Sequence, residues 1–459
     1  MLDKAKAEEI FQKIKKFASV PEVETIFAST DFSLTRFANN TIHQNVSELN
    51  EQASIRVAFD GKTARATTNR FDDESLKRSV QAAESMARVQ EPDPDRLAMA
   101  KPDAAAGAAG PSRWFEQTAA ITPGDRADAV GKIVAVAKKN SLVTAGIYSS
   151  AQHQEGIFNS NGLSTWHRQT SAEVSITMLA DDSSGWQKAN DPDVKQLQPV
   201  ELAEIAAKKG RDSQKPQELA PGKYTVILEP AAVLDAVGFM FMDFGGLAIL
   251  DQRSFLNNRI GTKLFGENIT IVDDVDHPLQ ANSPFDGEGV RRKRVSLVEN
   301  GVIRNLVYSR GTAEKMKNSE YAGKVGDISV TGHGFPLPNE IGEAPMNIVF
   351  ITSGGEQTVD QMIASTERGV LVTRLWYIRE VDPYEKILTG MTRDGTFLVE
   401  NGKVKCGIRN FRFNQSLIEM LSHVEAMGRP VRASGEEAFD MVAPAMKVSG
   451  FNFTEVTKF

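Results

Sequence analysis

The chain has 459 residues, 41% of them apolar and 25% charged, with a formal net charge of −7. That length is enough for two or three domains, and the negative balance argues against a general nucleic-acid binder. One cysteine, Cys406, excludes an intrachain disulfide and suits a reducing cytoplasm. The start, Met1-Leu2-Asp3-Lys4-Ala5-Lys6, has no apolar leader, and the longest apolar run, near Phe239, is too short and too interrupted to span a bilayer.

In chain order, Ala7–Phe17 reads as an amphipathic helix, with Ile10, Phe11, Ile14 and Phe17 at helical spacing. Glu22–Thr30 and Phe32–Phe37 read as two strands. Ala53–Phe59 and Thr63–Thr68 form a hairpin on Asp60-Gly61. Phe71–Val89 is helical, capped by Asp72 or Asp73, with Leu76, Val80, Ala83 and Met86 as its buried stripe. Residues 91–124 hold five prolines and the small-residue tract Ala104–Gly110, so they read as a connection rather than a packed element. Asp125–Asn140 is the next helix. Thr144–Ser150, Gly156–Ser160, Leu163–Thr170 and Ala172–Leu179 are strands, with a hairpin turn at Asn161-Gly162. Val200–Ser213 is helical and Lys215–Gly222 is a linker. The expected fold class is α+β. An N-terminal α/β domain with mixed or antiparallel strands occupies 1–215, and a β-rich C-terminal domain with flanking helices occupies 222–459.

The C-terminal part opens with a strand, Tyr224–Leu228, and then Glu229–Gly246. Pro230 fits a first helical turn, Ala231–Met242 are almost wholly apolar, and Gly245-Gly246 closes the run. The segment Leu297-Val298-Glu299-Asn300-Gly301 recurs as Leu398-Val399-Glu400-Asn401-Gly402, so each copy is expected to turn a hairpin on Asn-Gly. Glu356–Ser365 and Asn414–Met427 read as helices, Gly369–Ile378 and Ala443–Phe453 as strands.

The chemistry-bearing residues are sparse. No two of His43, His153, His167, His277, His333 and His423 lie within five residues, so no local metal pair exists. Cys406 reads as a packing residue. Asp243-Phe244-Gly245 spells a kinase tripeptide without the glycine-rich loop or catalytic loop that would give it meaning. Arg291-Arg292-Lys293-Arg294 reads as the charged guard of an exposed strand edge. There is no Gly-x-Ser-x-Gly elbow and no candidate Cys–His pair for a covalent hydrolase.

Long, specific stretches resemble the TldD/PmbA family. They are densest in Pro221–Phe265, Phe285–Arg310 and Gly369–Phe413, including Thr373-Arg374-Leu375-Trp376-Tyr377-Ile378-Arg379 and Thr392-Arg393-Asp394-Gly395-Thr396-Phe397; the N-terminal half is similar mainly through Ile55–Thr68. In the family's zinc-bearing branch the central helix (here 230–243) carries His-Glu-x-x-x-His. That motif falls on Leu234-Asp235-Ala236-Val237-Gly238-Phe239, so Leu234 and Phe239 replace both histidines and Asp235 the glutamate. The branch's third ligand, a cysteine, is missing from the matching region Arg432–Val442. Leucine and phenylalanine have no lone pair for a metal. The resemblance therefore implies the metal-free PmbA/TldE branch, with no catalytic residue and no zinc in this chain.

It further implies a two-fold assembly with a zinc-bearing TldD-like sister chain, which would hold the metal and cleave unstructured peptides, or with a second copy of itself. Roles in peptide-antibiotic maturation, antitoxin turnover and modulation of DNA gyrase come with the family. The rival expectation is a stand-alone homodimer that binds peptides or a protein without cutting them.

Overall fold

A computed structural model describes residues 1–102 and 110–457. Its first layer is one six-stranded antiparallel sheet, in the order 62–68, 41–59, 22–38, 143–159, 164–179, 184–191. The strands are longer than the sequence pattern foretells. Glu22–Ala38 is one strand, not two, and so are Val143–Asn159 and Ser164–Leu179. Thr41–Phe59 starts twelve residues earlier than expected, and Ser184–Asp191 had no signal at all. Polar residues such as Thr30, Asp31 and Ser33 interrupt the apolar alternation, yet the backbone keeps pairing through them. The tight turns are where Asx and glycine chemistry puts them: Asn39-Asn40 and Asp60-Gly61 take positive φ in pairs, as two-residue hairpin loops require.

Helices cover one face of this sheet at two places. Lys4–Phe17 and Asp73–Arg88 pack Ile10, Phe11, Ile14, Leu76 and Val80 against Val23, Phe27 and Ile55. Asp72 caps the second of these helices. Its stripe runs Leu76, Val80, Ala83, Ala87, while Met86, expected inside, is 40% exposed because the i+4 step selects Ala87 instead. Pro123–Lys139, begun by a Thr122–Asp125 capping box, and Pro199–Asp212 enclose a second cluster with Tyr148, Val174, Ile176 and Met178. Between the helix pairs the connection is pinned in part. Arg96 pairs with Glu22 at 2.6 Å, and Met99 and Ala100 are buried with their carbonyls taken by Asn161 and Asn159. Pro123 belongs to the following helix, and the tract 104–109 lies outside the described residues.

The second half forms two sheets. One runs 302–303, 295–299, 270–273, 348–351, 441–443, 431–433. The other closes on itself: Arg368–Asp382 pairs in parallel with Gly222–Leu228, which pairs with Met446–Val456, then Phe411–Ser416, then Ile387–Glu400, which pairs back to Arg368–Asp382. Five strands thus make a small barrel, and Phe411, Phe413, Phe451 and Phe453 stack among its core side chains. Both Asn-Gly hairpins are present, with Asn300-Gly301 and Asn401-Gly402 at positive φ. Two expectations fail here. Asn414–Met427 is not a helix; only Leu417–Ser422 is, between the strands Phe411–Ser416 and Val424–Met427. The closing segment is two strands, Met441–Ala443 and Met446–Val456, in different sheets.

The arginine-rich tetrad also differs from its reading. It precedes strand Val295–Glu299, which has neighbours on both sides, so it guards no edge. Arg291 instead pairs with Asp276 at 2.7 Å and Arg294 with Asp274 at 3.4 Å.

The first half also meets the second at a buried ion pair of the second half, Arg374–Asp394, which Ser184 and Trp186 reach from the first. The Arg374 Nε lies 2.9 Å from Asp394 Oδ2, Ser184 Oγ donates to Asp394 Oδ1 at 2.6 Å, and Trp186 and Trp376 flank the guanidinium. Asp394→Asn keeps the shape and tolerates this residue's left-handed backbone but removes the charge. Loss of one partner of a buried pair costs about 3 kcal/mol, read as a lower urea midpoint. Adding Asp394→Asn to Arg374→Met is expected to cost less than Arg374→Met alone, because no unpaired charge then stays buried and the left-handed backbone is kept by a residue that tolerates it.

Candidate functional site

The site grows out of the barrel strand Gly222–Leu228. That strand runs straight into the helix Pro230–Val237, whose Glu229 carboxylate is held by Lys209 Nζ at 2.7 Å. The α-helix is shorter than expected. After Val237 the chain tightens into a 3-10 segment, Gly238–Phe244, and Gly245-Gly246 does not end in a loop but starts another helix, Gly246–Leu250. The tightening occurs at Gly238, against which Ala438 packs so closely that an added Cβ would meet the Ala438 Cβ at 2.2 Å.

The three motif positions have three different surroundings. Leu234 is fully buried in the main core. Phe239 is half-buried and lines a cavity of about 790 Å³. Asp235 is fully buried, and its carboxylate is spent on backbone: Oδ1 accepts the N–H of Glu436 at 3.0 Å and of Glu437 at 3.1 Å, and Oδ2 accepts that of Leu375 at 3.4 Å. The loop 434–439 therefore sits clamped on the helix. Gly435 has no room for a side chain there, since a Cβ would lie 2.2 Å from Asp235 Oδ1. Burial pushes the Asp235 carboxyl up to about 6 against the pull of those three N–H groups and of Arg374.

The cavity lies beside this clamp. Its apolar wall holds Phe239, Met242, Phe335, Met346 and Phe439, and Asp243, Glu380, Glu436, Glu437, Lys386 and Arg253 face it as well. Lys386 is 3% exposed and bridges Asp243 and Glu380, 2.6 Å from each. Burial pushes the Asp243 carboxyl up despite that lysine. So Asp243 belongs to the site through an ion pair, not through its kinase-like neighbours. Sequence reasoning missed Lys386, because nothing marks a lysine at the corner before strand Ile387–Glu400 as one that will be buried. Glu436 and Glu437 fall inside the region flagged only for its missing cysteine.

The other singled-out residues lie elsewhere. Cys406 is half-buried on a barrel-edge strand, paired with Leu398, and burial raises its thiol pKa. His333 is buried against Asp273 at 3.0 Å, His153 lies between Thr30 and Ser171, and His167 bonds Gln169. Zinc does not fit the motif positions, since two offer only hydrocarbon and the third is engaged by amides. Among the described residues no group of three or more His, Cys, Asp or Glu side chains is placed to hold a metal.

Family profiles match three consecutive stretches: PmbA/TldA metallopeptidase domain 1 over residues 23–87, the central domain over 115–214 and the C-terminal domain over 221–455. The chain belongs to the PmbA/TldD metallopeptidase family. It is 21% identical over 412 residues to Metalloprotease PmbA of Escherichia coli O157:H7, covering 86% of this chain and 85% of that one. Several solved structures share the fold. A putative modulator of a DNA gyrase from Thermotoga maritima matches with a TM-score of 0.84 at 20% identity, over 98% of this chain and 100% of that one. TldE from Thermococcus kodakarensis matches with a TM-score of 0.83 at 19% identity, over 98% and 100%.

Two outcomes are expected. Asp235→Ala strands the clamped amides and lowers stability by about 2–4 kcal/mol, measured by chemical denaturation. The Asp235 carboxyl titrates at about 6 in the folded chain and near its ordinary 3.8 when unfolded. The native state thus binds that proton more tightly, so its stabilisation is full below about pH 4 and lost as pH rises through about 6. Asp235→Asn removes that slope between pH 4 and 6, on the order of 2–3 kcal/mol, and leaves the slope above pH 6 as it was.

Proposed function

We propose that this chain binds extended, unstructured segments of peptide or protein without cutting them, acting as a two-fold dimer in a reducing cytoplasm. One observation carries the reading: at the family's catalytic helix the side chains are Leu234, Asp235 and Phe239, with the carboxylate bonded to the loop 434–439, while an open, largely apolar cavity remains beside them. Hydrolysis in a metallopeptidase needs a metal-activated water and a general base. Asp235 is bonded to three amides, and Leu234 and Phe239 offer no lone pair to hold a metal beside it. The binding surface outlasts the lost ligands, as a binding role would require. Extended segments suit such a protein because main-chain hydrogen bonds to a strand need little sequence selectivity.

A second reading keeps the same cavity and adds a zinc-bearing sister chain that performs the cleavage. The family's metallopeptidase description and the likeness to TldE favour it.

The test uses the purified chain and an unstructured substrate such as casein, with and without chelator. Binding without cleavage, and a mass of two chains in solution, are expected. Robust chelator-sensitive cleavage by the chain alone would overturn both readings, and cleavage only after adding a zinc-bearing sister would select the second. Met242, which is 44% exposed at the cavity, gives the site-specific check. Met242→Trp narrows the cavity and lowers peptide affinity about tenfold, with the melting temperature unchanged.

Metal content supplies a separate prediction. Elemental analysis after dialysis should find far less than one zinc per chain. Restoring Leu234→His, Asp235→Glu and Phe239→His should create no peptidase: position 234 points into the core, and a third ligand is missing.

A further inference from the structure

The cavity beside the central helix carries more negative charge than its neighbours neutralise. Four carboxylates line it: Asp243, Glu380, Glu436 and Glu437. Each nearby cation is already shared or turned away. Lys386 is divided between Asp243 and Glu380. Arg253 also lines the cavity, but its Nε and Nη2 bond Asp251. Lys188 lies 3.5 Å from Glu436 and 3.4 Å from Glu173, and donates to the Gly435 carbonyl. Counting these partners, and Arg379, which donates to the Ile378 carbonyl and lies over the Tyr377 ring, six carboxylates face four cations.

Glu437 stands out among them. It has no basic partner among the described residues. Its two oxygens accept the N–H of Tyr377 at 2.7 Å and of Ile378 at 3.2 Å. Those two amides point at one carboxylate because strand Arg368–Asp382 bulges between Trp376 and Arg379, with Tyr377 in a left-handed conformation at φ 55°. A bulky residue held there is strained, and the two hydrogen bonds that offset the strain also fix the carboxylate in place.

The apolar wall decides what sort of cation suits this field. Phe239, Phe439 and Met242 offer hydrocarbon and ring faces within the same cavity as Glu437 and Glu380. A compact ion gains nothing from such a wall. A long basic side chain lays its methylenes along it and carries its charge to the carboxylates, and ring faces attract a guanidinium or ammonium further. Negative potential in a low-dielectric cleft is focused, which repels acidic segments and phosphate backbones alike.

We propose that the cavity selects extended peptides by a lysine or arginine side chain, whose charged head is received by Glu437 and Glu380. The proposal rests on the peptide-binding reading above and narrows its ligand class to basic segments.

Fluorescence anisotropy with labelled, unstructured twelve-residue peptides tests it. One peptide carries a single central arginine, a second the neutral isostere citrulline, and a third glutamate; each is made with a free and an acetylated amino terminus. The arginine peptide is expected to bind about tenfold tighter than the citrulline peptide at low salt, with the gap shrinking at high salt and the glutamate peptide weakest. Acetylation is expected to change nothing. Glu437→Gln and, separately, Glu380→Gln, each checked for native circular dichroism, are expected to bring the arginine and citrulline peptides within about twofold of each other. That ratio does not move when a substitution merely weakens the fold. Equal binding of all three peptides would overturn the charge selection and leave the peptide-binding reading intact. Tight binding that needs a free amino terminus would also overturn it, by assigning the carboxylates to a chain end. Failure of every peptide to bind would remove the underlying reading and this proposal with it.

Discussion

The carboxylate of Asp235 joins three parts of the fold that lie far apart in sequence. It belongs to the helix that leaves the barrel, accepts two amides from the loop 434–439, and reaches a third on strand Arg368–Asp382. Burial of a charge costs several kcal/mol unless its lone pairs are filled, and here backbone amides fill them. The carboxylate that the family resemblance sets at a catalytic position acts here as a fastener. Because the loop is fixed, Gly238 and Gly435 must stay small, and Glu436 and Glu437 are held at the rim of the cavity. The clamp therefore shapes the cavity wall without facing its occupant.

Local chemistry was legible in the sequence wherever a few neighbouring residues decide the outcome. Asp60-Gly61, Asn300-Gly301 and Asn401-Gly402 turn as their side chains and missing side chains dictate, and Asp72 caps its helix. The family resemblance was legible as well. Strand lengths were not. The first sheet's strands are half-buried through their middles, so Thr30–Leu34 lacks the alternation that marks a one-sided strand, and only pairing with neighbours on both sides keeps it extended. The stretch 414–427 misled for a related reason. Its apolar residues fit a helical period, but barrel and sheet partners claim both ends and leave six residues for the helix.

The cavity was the least legible part, and the reason is geometric. Its wall draws on the central helix, the corner before strand Ile387–Glu400, the segment around Phe335 and the loop 434–439, brought together by the closure of the barrel and the sheet beside it. No window of sequence contains the balance of charge around Lys386, because Asp243 and Glu380 come to it from different elements. Electrostatic surplus is a property of the assembled surface, and a net charge of −7 over the whole chain gives no hint of where it gathers.

Barrel closure also sets an order of events during folding. The strand that launches the central helix has no sequence-adjacent partner: Gly369 pairs with Thr225 and Met446 with Leu228, both far downstream. Closing loops of that length before any contact rewards them is slow. The helix, its apolar face and the strand beneath it must wait, unpaired, until distant segments arrive. That apolar stretch stays without its sheet partners until they arrive, a state that a holding chaperone could bind.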